Sequence, residues 1–150
     1  YRFVSSQIQL SKHIDDVLET LKETIQSKSL NIKTNYENDF IVNTDRKLLS
    51  QLFFDVIDNA VRLSPEKAEI RIEAIQNIDQ VQLTISDQAG GLNSKAMKHL
   101  FKPFVPGDKF VNNNMGIGLY LAKLIAAYIN GTINIQNIEN GVKVSLSLPL

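Results

Sequence analysis

Leu48, Leu49, Leu52, Phe53, Val56, Ile57, Ala60 and Val61 recur at helical spacing in a stretch that follows Thr44-Asp45 and stops at Ser64-Pro65. That pattern predicts a helix with one wide apolar face. Thr44 or Asp45 can cap its first turn, and Pro65 pushes the residue before it out of the helical region. A face that wide must be covered, so the fold needs a second layer. The neighbouring sequence offers strands for it. Residues 69–75 and 80–86 alternate and are joined by Asn77-Ile78-Asp79, while 132–136 and 142–148 flank Glu139-Asn140-Gly141. Each pair reads as antiparallel neighbours. Residues 7–10, 30–36 and 40–42 read as shorter strands, and Ile14, Val17, Leu18, Leu21 and Ile25 form a helical stripe from Ser11 onward. Another helix over 116–129 ends at Asn130-Gly131. The expected fold class is α+β: a two-layer α/β sandwich whose mixed, mostly antiparallel sheet carries helices on one face.

Composition narrows the function. The 150 residues are 43% hydrophobic, enough for the core of one domain spanning 1–150. Lysine plus arginine and aspartate plus glutamate are 16 each, which leaves no basic footprint for nucleic acid. No cysteine is present, so disulfides, thiolate catalysis and cysteine zinc sites are excluded. Only His13 and His99 could serve a histidine metal cluster, which is too few. No apolar run approaches the roughly 18 residues of a membrane span, and the first residues lack a signal-peptide pattern. The expectation is a soluble domain, compatible with its being part of a membrane protein.

Three places can carry chemistry. Asp55, Asn59 and Arg62 lie at i, i+4 and i+7 on the second helix, away from its apolar face. They offer two metal-friendly oxygens beside one phosphate-friendly cation, and the same pattern also suits a plain solvated face. Ser86-Asp87-Gln88-Ala89-Gly90-Gly91-Leu92 follows a strand in which Val81, Leu83 and Ile85 point to one side. Asp87 continues that parity and should face the interior, where a carboxylate needs a donor. Adenine offers one through its exocyclic amine and guanine presents an oxygen there; a simple turn begun by aspartate is the alternative. Asn114-Met115-Gly116-Ile117-Gly118-Leu119 opens a helix, whose free N–H groups favour phosphate. It is neither a dinucleotide fingerprint, since Leu121 stands where the third glycine belongs, nor a P-loop.

Taken in order, these places resemble a known family. Leu-Phe-Phe-Asp-Val-Ile-Asp-Asn-Ala-Val-Arg-Leu-Ser-Pro at 52–65 resembles the N box of sensor histidine kinases and of the wider family of gyrase, mismatch-repair and chaperone ATPases. Residues 87–92 are similar to its G1 box, Phe101-Lys102-Pro103-Phe104 to its F box, and 115–119 to its G2 box. The resemblance covers residues 3–148 and implies a catalytic domain that binds ATP with Mg²⁺. It would donate the γ-phosphate to a histidine on separate dimerising helices that this chain does not contain.

The resemblance also assigns roles. Asn59 matches the asparagine that ligates Mg²⁺, Arg62 a basic residue near the phosphates, and Asp87 the aspartate on the adenine amine. Gly91 matches the glycine beside the ring, and Gly116, Ile117, Gly118 and Leu119 lie in the segment whose backbone meets the phosphates. Asp55 stands where hydrolysing relatives carry a glutamate base, so it joins Asn59 as a catalytic candidate. Residues 91–116 would form the ATP lid. Four positions depart from the pattern. Leu63 replaces an aromatic residue, Ala89 and Asn114 replace glycines, and Pro106 replaces an arginine whose charge Lys102 or Lys109 could supply. Neither His13 nor His99 has a phosphoacceptor setting. The implied partners are the acceptor helices of the same protein and a response regulator. The fragment would be monomeric, the whole protein a homodimer, and the location cytoplasmic, as part of an inner-membrane sensor. An ATPase or serine-kinase relative and a non-catalytic interaction domain remain as alternatives.

Overall fold

A computed structural model describes residues 1–87, 116–139 and 141–150. In chain order these form β1 (Ser5–Gln9), α1 (Leu10–Thr20), α2 (Lys22–Ser27), β2 (Asn31–Tyr36), β3 (Ile41–Asp45), α3 (Arg46–Leu63), β4 (Glu69–Gln76) and β5 (Gln80–Asp87). After the undescribed 88–115 come α4 (Gly116–Tyr128), β6 (Thr132–Ile138) and β7 (Gly141–Pro149). The main sheet has five strands in the order β2-β4-β5-β7-β6, and β1 with β3 forms a separate two-stranded sheet. β2 and β4 are parallel; every other pair is antiparallel. The fold is the expected mixed, mostly antiparallel sheet with helices on one face.

Strand alternation decides which face that is. Ile70, Ile72 and Ala74 of β4, Val81, Leu83 and Ile85 of β5, and Val144, Leu146 and Leu148 of β7 are buried. Register stacks them in rows such as Ile72, Ile85, Val144 and Ile135. The polar rows, including Glu73, Thr84 and Ser145, stand on the other side, as an antiparallel sheet wet on one face requires. α3 lays Leu49, Leu52, Phe53, Val56, Ile57, Ala60 and Val61 into this core, and α4 adds Leu119, Ala122 and Ala126.

The ends of α3 are held by distant groups. Asp45 is its N-cap and accepts from the Leu48 N–H at 3.1 Å. The same carboxylate accepts from Val4 N–H and Tyr1 O–H, each at 2.9 Å. The Val4 amide is the main reason its carboxyl sits below the usual carboxylate range. At the other end the Lys28 Nζ donates to the carbonyls of Val61 at 2.8 Å and Arg62 at 2.9 Å. A cation there meets the negative end of the helix dipole.

One expectation needs correction in detail. The stripe from Ser11 through Ile25 is not one helix, because Leu21 (φ −96°, ψ 7°) separates α1 from α2. Its N–H is shared between the carbonyls of Val17 at 3.2 Å and Leu18 at 3.1 Å, the tightened last turn common at helix ends. β3 also runs further than 40–42, because pairing with β1 extends it to Asp45. Among the described residues no helix is long and apolar enough to cross a membrane.

Candidate nucleotide site

α3 turns Asp55 and Asn59 inward, so both are buried, at 7% and 8% exposure. The alternative of a plain solvated face therefore fails for these two. Asp55 Oδ1 accepts from Gln51 Nε2 at 2.7 Å, one turn earlier on the helix. Its Oδ2 is buried and has no hydrogen-bond partner among the described residues. Burial raises the Asp55 carboxyl to about 6; the Gln51 bond opposes that shift, nearby Asp58 adds to it, and Arg62 opposes it. A carboxyl near 6 is poised to exchange a proton close to neutral pH. An unpaired buried carboxylate oxygen is also costly, which suits a position completed by a ligand.

Arg62 lies on the solvent side of α3. Its Nε pairs with Asp58 Oδ2 at 3.0 Å, one turn earlier, and its charge is felt at Asp55, whose raised pKa it opposes.

The β5 parity holds to its last residue. Asp87 is buried at 5% exposure, continuing Val81, Leu83 and Ile85. Its Oδ1 accepts from the Val142 N–H of β7 at 3.3 Å, opposite it in register. The neighbouring strand thus orients the carboxylate against an otherwise apolar face.

α4 begins at Gly116, so the N–H groups of Gly116, Ile117, Gly118 and Leu119 are those a helix leaves without intrahelical partners. α4 packs on α3, and α3 on β5. A Cβ placed on Gly118 would lie 4.0 Å from the Asp55 carbonyl oxygen, an ordinary contact. Helix packing alone therefore does not demand glycine at 118. The fold sets the Asp55 main chain against Gly118 near the start of α4, with Asn59 one turn further along α3. Gly91 and Lys102, with the lid and the F box, lie outside the described residues, as does His99. His13 is buried at 5% exposure, with Nε2 2.8 Å from Ser50 Oγ and its ring edge-on to Phe53. Burial lowers its pKa, and it serves the core.

The donor set decides which metal could fit. Among the described residues no three His, Cys, Asp or Glu side chains cluster to make a metal cage. Mg²⁺ needs no such cage, since it commonly takes one or two protein oxygens together with phosphate and water. The Asn59 amide and the unpartnered Asp55 Oδ2 are compatible with that chemistry. Sequence reasoning missed Gln51 and Lys28. The i, i+4 spacing of Gln51 and Asp55 could have flagged the first; nothing local could have flagged the second.

Residues 44–150 match the family described as histidine kinase-, DNA gyrase B- and HSP90-like ATPase. The heme sensor protein HssS of Staphylococcus saprophyticus is 28% identical over 133 residues, covering 89% of this chain and 28% of that protein. Sporulation kinase A of Bacillus subtilis is 27% identical, covering 97% of this chain and 24% of that protein. The chain thus spans about a quarter of the length of these relatives. The catalytic domain of histidine kinase ThkA, solved without nucleotide, superimposes with a TM-score of 0.85 at 22% identity, covering 99% of this chain and 96% of that one. ThkA in complex with the response regulator TrrA gives 0.83 at 21% identity, over 98% of this chain and 42% of that one.

Proposed function

The chain belongs to the histidine kinase-, DNA gyrase B- and HSP90-like ATPase family and is an ATP-binding catalytic domain of the sensor histidine kinase type, and from that premise we propose that it holds Mg-ATP between α3, the end of β5 and the start of α4 and donates the γ-phosphate to a histidine on separate dimerising helices. The observation that carries this reading is the burial of Asp55 and Asn59 on α3 and of Asp87 at the end of β5, three polar side chains at the positions of the N and G1 boxes. Asp87 accepts a hydrogen bond from the adenine amine, with Gly91 beside the ring. The Asn59 amide oxygen would hold Mg²⁺, which when bound would supply charge neutralisation for the phosphates. The amides of Gly116, Ile117, Gly118 and Leu119 face phosphate oxygens, and Arg62 and Lys102 add positive charge.

In the transfer step a lone pair on the acceptor imidazole forms the N–P bond while the bond from the γ-phosphorus to its bridging oxygen breaks. ADP leaves with that electron pair, and the proton released from the imidazole passes to a base. The Asp55 carboxylate is the candidate base in this site. Residues 1–150 act as one domain, monomeric alone, within a homodimeric sensor protein that passes the phosphoryl group to a response regulator on the cytoplasmic side of the membrane. ThkA, solved with TrrA, supports that partner class. Hydrolysis of ATP is the second reading, favoured by the raised pKa of Asp55.

Asn59→Ala is the test. The Mg²⁺-dependent part of ATP affinity should disappear while the circular dichroism spectrum is unchanged. Unaltered Mg-ATP affinity overturns the assignment. Phosphate release without phosphohistidine in the full-length protein would favour hydrolysis.

A further inference from the structure

We propose that Gln51 is a positioning residue, whose side-chain amide holds one oxygen of Asp55 and keeps the other for the reacting groups. This role rests on the reading of Asp55 given above. Gln51 Nε2 donates to Asp55 Oδ1 at 2.7 Å from the preceding turn of α3. Asp55 Oδ2 is buried and unpartnered, so the carboxylate has one fixed oxygen and one open one. Its main chain is held independently, because α4 packs over the Asp55 carbonyl at Gly118. Carboxyl and backbone are thus fixed by different elements.

Gln51 itself lies at the surface. It lines a groove of about 490 Å³ between α1 and α3, with His13, Ser50 and Phe54. A surface glutamine ordinarily keeps its rotamer freedom in water, and ordering such a side chain costs entropy. Here it is turned onto a buried acid. The residue type also matters. An amide donates without carrying charge, so it orients a carboxylate without cancelling it, whereas a lysine would hold the carboxylate as an ion pair and weaken it as a base. A reacting group displaced by about 1 Å loses about a hundredfold in rate, so one hydrogen bond that fixes a rotamer has a measurable effect.

Two substitutions separate positioning from structure. Gln51→Met keeps the length, removes the donor and preserves helix propensity; Gln51→Glu keeps the length and propensity but puts an acceptor against Asp55. Both should remain cooperatively folded, with a melting temperature lowered by only a few degrees for the lost donor. The assay is single-turnover autophosphorylation of the full-length protein at saturating Mg-ATP, with Mg-ATP affinity measured in parallel.

Gln51→Met should slow transfer about tenfold, or about 1.4 kcal/mol, and Gln51→Glu should slow it further, each with Mg-ATP affinity within about twofold of the parent. In an Asp55→Asn background neither change should slow transfer again, since the group it positions is gone. Transfer within twofold of the parent in both variants overturns the proposal, as does full additivity with Asp55→Asn. If Asp55→Asn alone leaves transfer intact, the role of Asp55 falls and that of Gln51 with it. If Asp55→Asn is slow and Gln51→Met is not, only the role of Gln51 falls.

Discussion

Asp55 should make the domain less stable as the pH rises, and Asp55→Asn should remove that dependence. In the fold its carboxyl is raised from 3.8 to about 6, chiefly by burial. A raised pKa means that the folded state holds the proton more tightly than the unfolded chain. The associated stability is fully present below about pH 4 and is lost as pH rises through about 6, because the folded state must then accommodate a buried carboxylate. A shift of about two units corresponds to about 3 kcal/mol if felt in full. Solvent at the open side of the site screens part of it, leaving about 1–2 kcal/mol. Asparagine keeps the shape and the option of a bond to Gln51 but cannot ionise. The stability of Asp55→Asn minus that of the parent should therefore rise by about 1–2 kcal/mol between pH 4 and pH 7, a gain of about 3–6 °C in melting temperature at neutral pH. Urea melts of both proteins at half-unit steps across that range measure it. A constant offset between the two curves refutes the reasoning, because the carboxyl would then titrate alike in both states. The variant should also transfer phosphate poorly, a stabilising change at a site strained for function.

Two substitutions test the supports of the site. Lys28→Met removes the donor to the Val61 and Arg62 carbonyls, and should lower stability by about 1 kcal/mol, seen as a fall of about 3 °C in melting temperature. Gly131→Ala places a Cβ 2.6 Å from the Ser147 carbonyl oxygen, and should cost about 2 kcal/mol in a denaturant melt because backbone must shift to admit it.

What the sequence revealed and what it hid follow from the range of the forces involved. α3 was legible from end to end, because its apolar period, its Asp45 cap and the stop at Ser64-Pro65 are all local. The inward turn of Asp87 was legible from strand parity alone. The break at Leu21 was not, since the apolar stripe continues through it and Leu21 stays buried on both accounts. Nor were the pairing of β1 with β3, across α1, α2 and β2, and the parallel pairing of β2 with β4, across β3 and α3. In the site, the burial of Asp55 and Asn59 was undecided, because an i, i+4 spacing suits a solvated helix face as well as a buried one. The ion pair of Arg62 with Asp58 one turn earlier was not singled out by the i, i+4, i+7 spacing.

The central claim is that a buried carboxylate at the end of β5 reads adenine. Asp87 accepts from the Val142 N–H, and its proposed role is to accept from the adenine amine as well. Adenine presents a donor there and guanine an acceptor. Leaving a buried polar group unsatisfied costs about 1–3 kcal/mol, more when it is charged. At 1.4 kcal/mol per decade, ATP should bind about tenfold to a few hundredfold more tightly than GTP. Calorimetric titration of the chain and of Asp87→Asn with both nucleotides, in Mg²⁺, measures this directly. The expected result is a clear preference for ATP in the parent and a narrower gap in Asp87→Asn, whose flipped amide can donate to the guanine oxygen. Equal affinity for the two nucleotides in the parent, or a ratio untouched by the substitution, would contradict it.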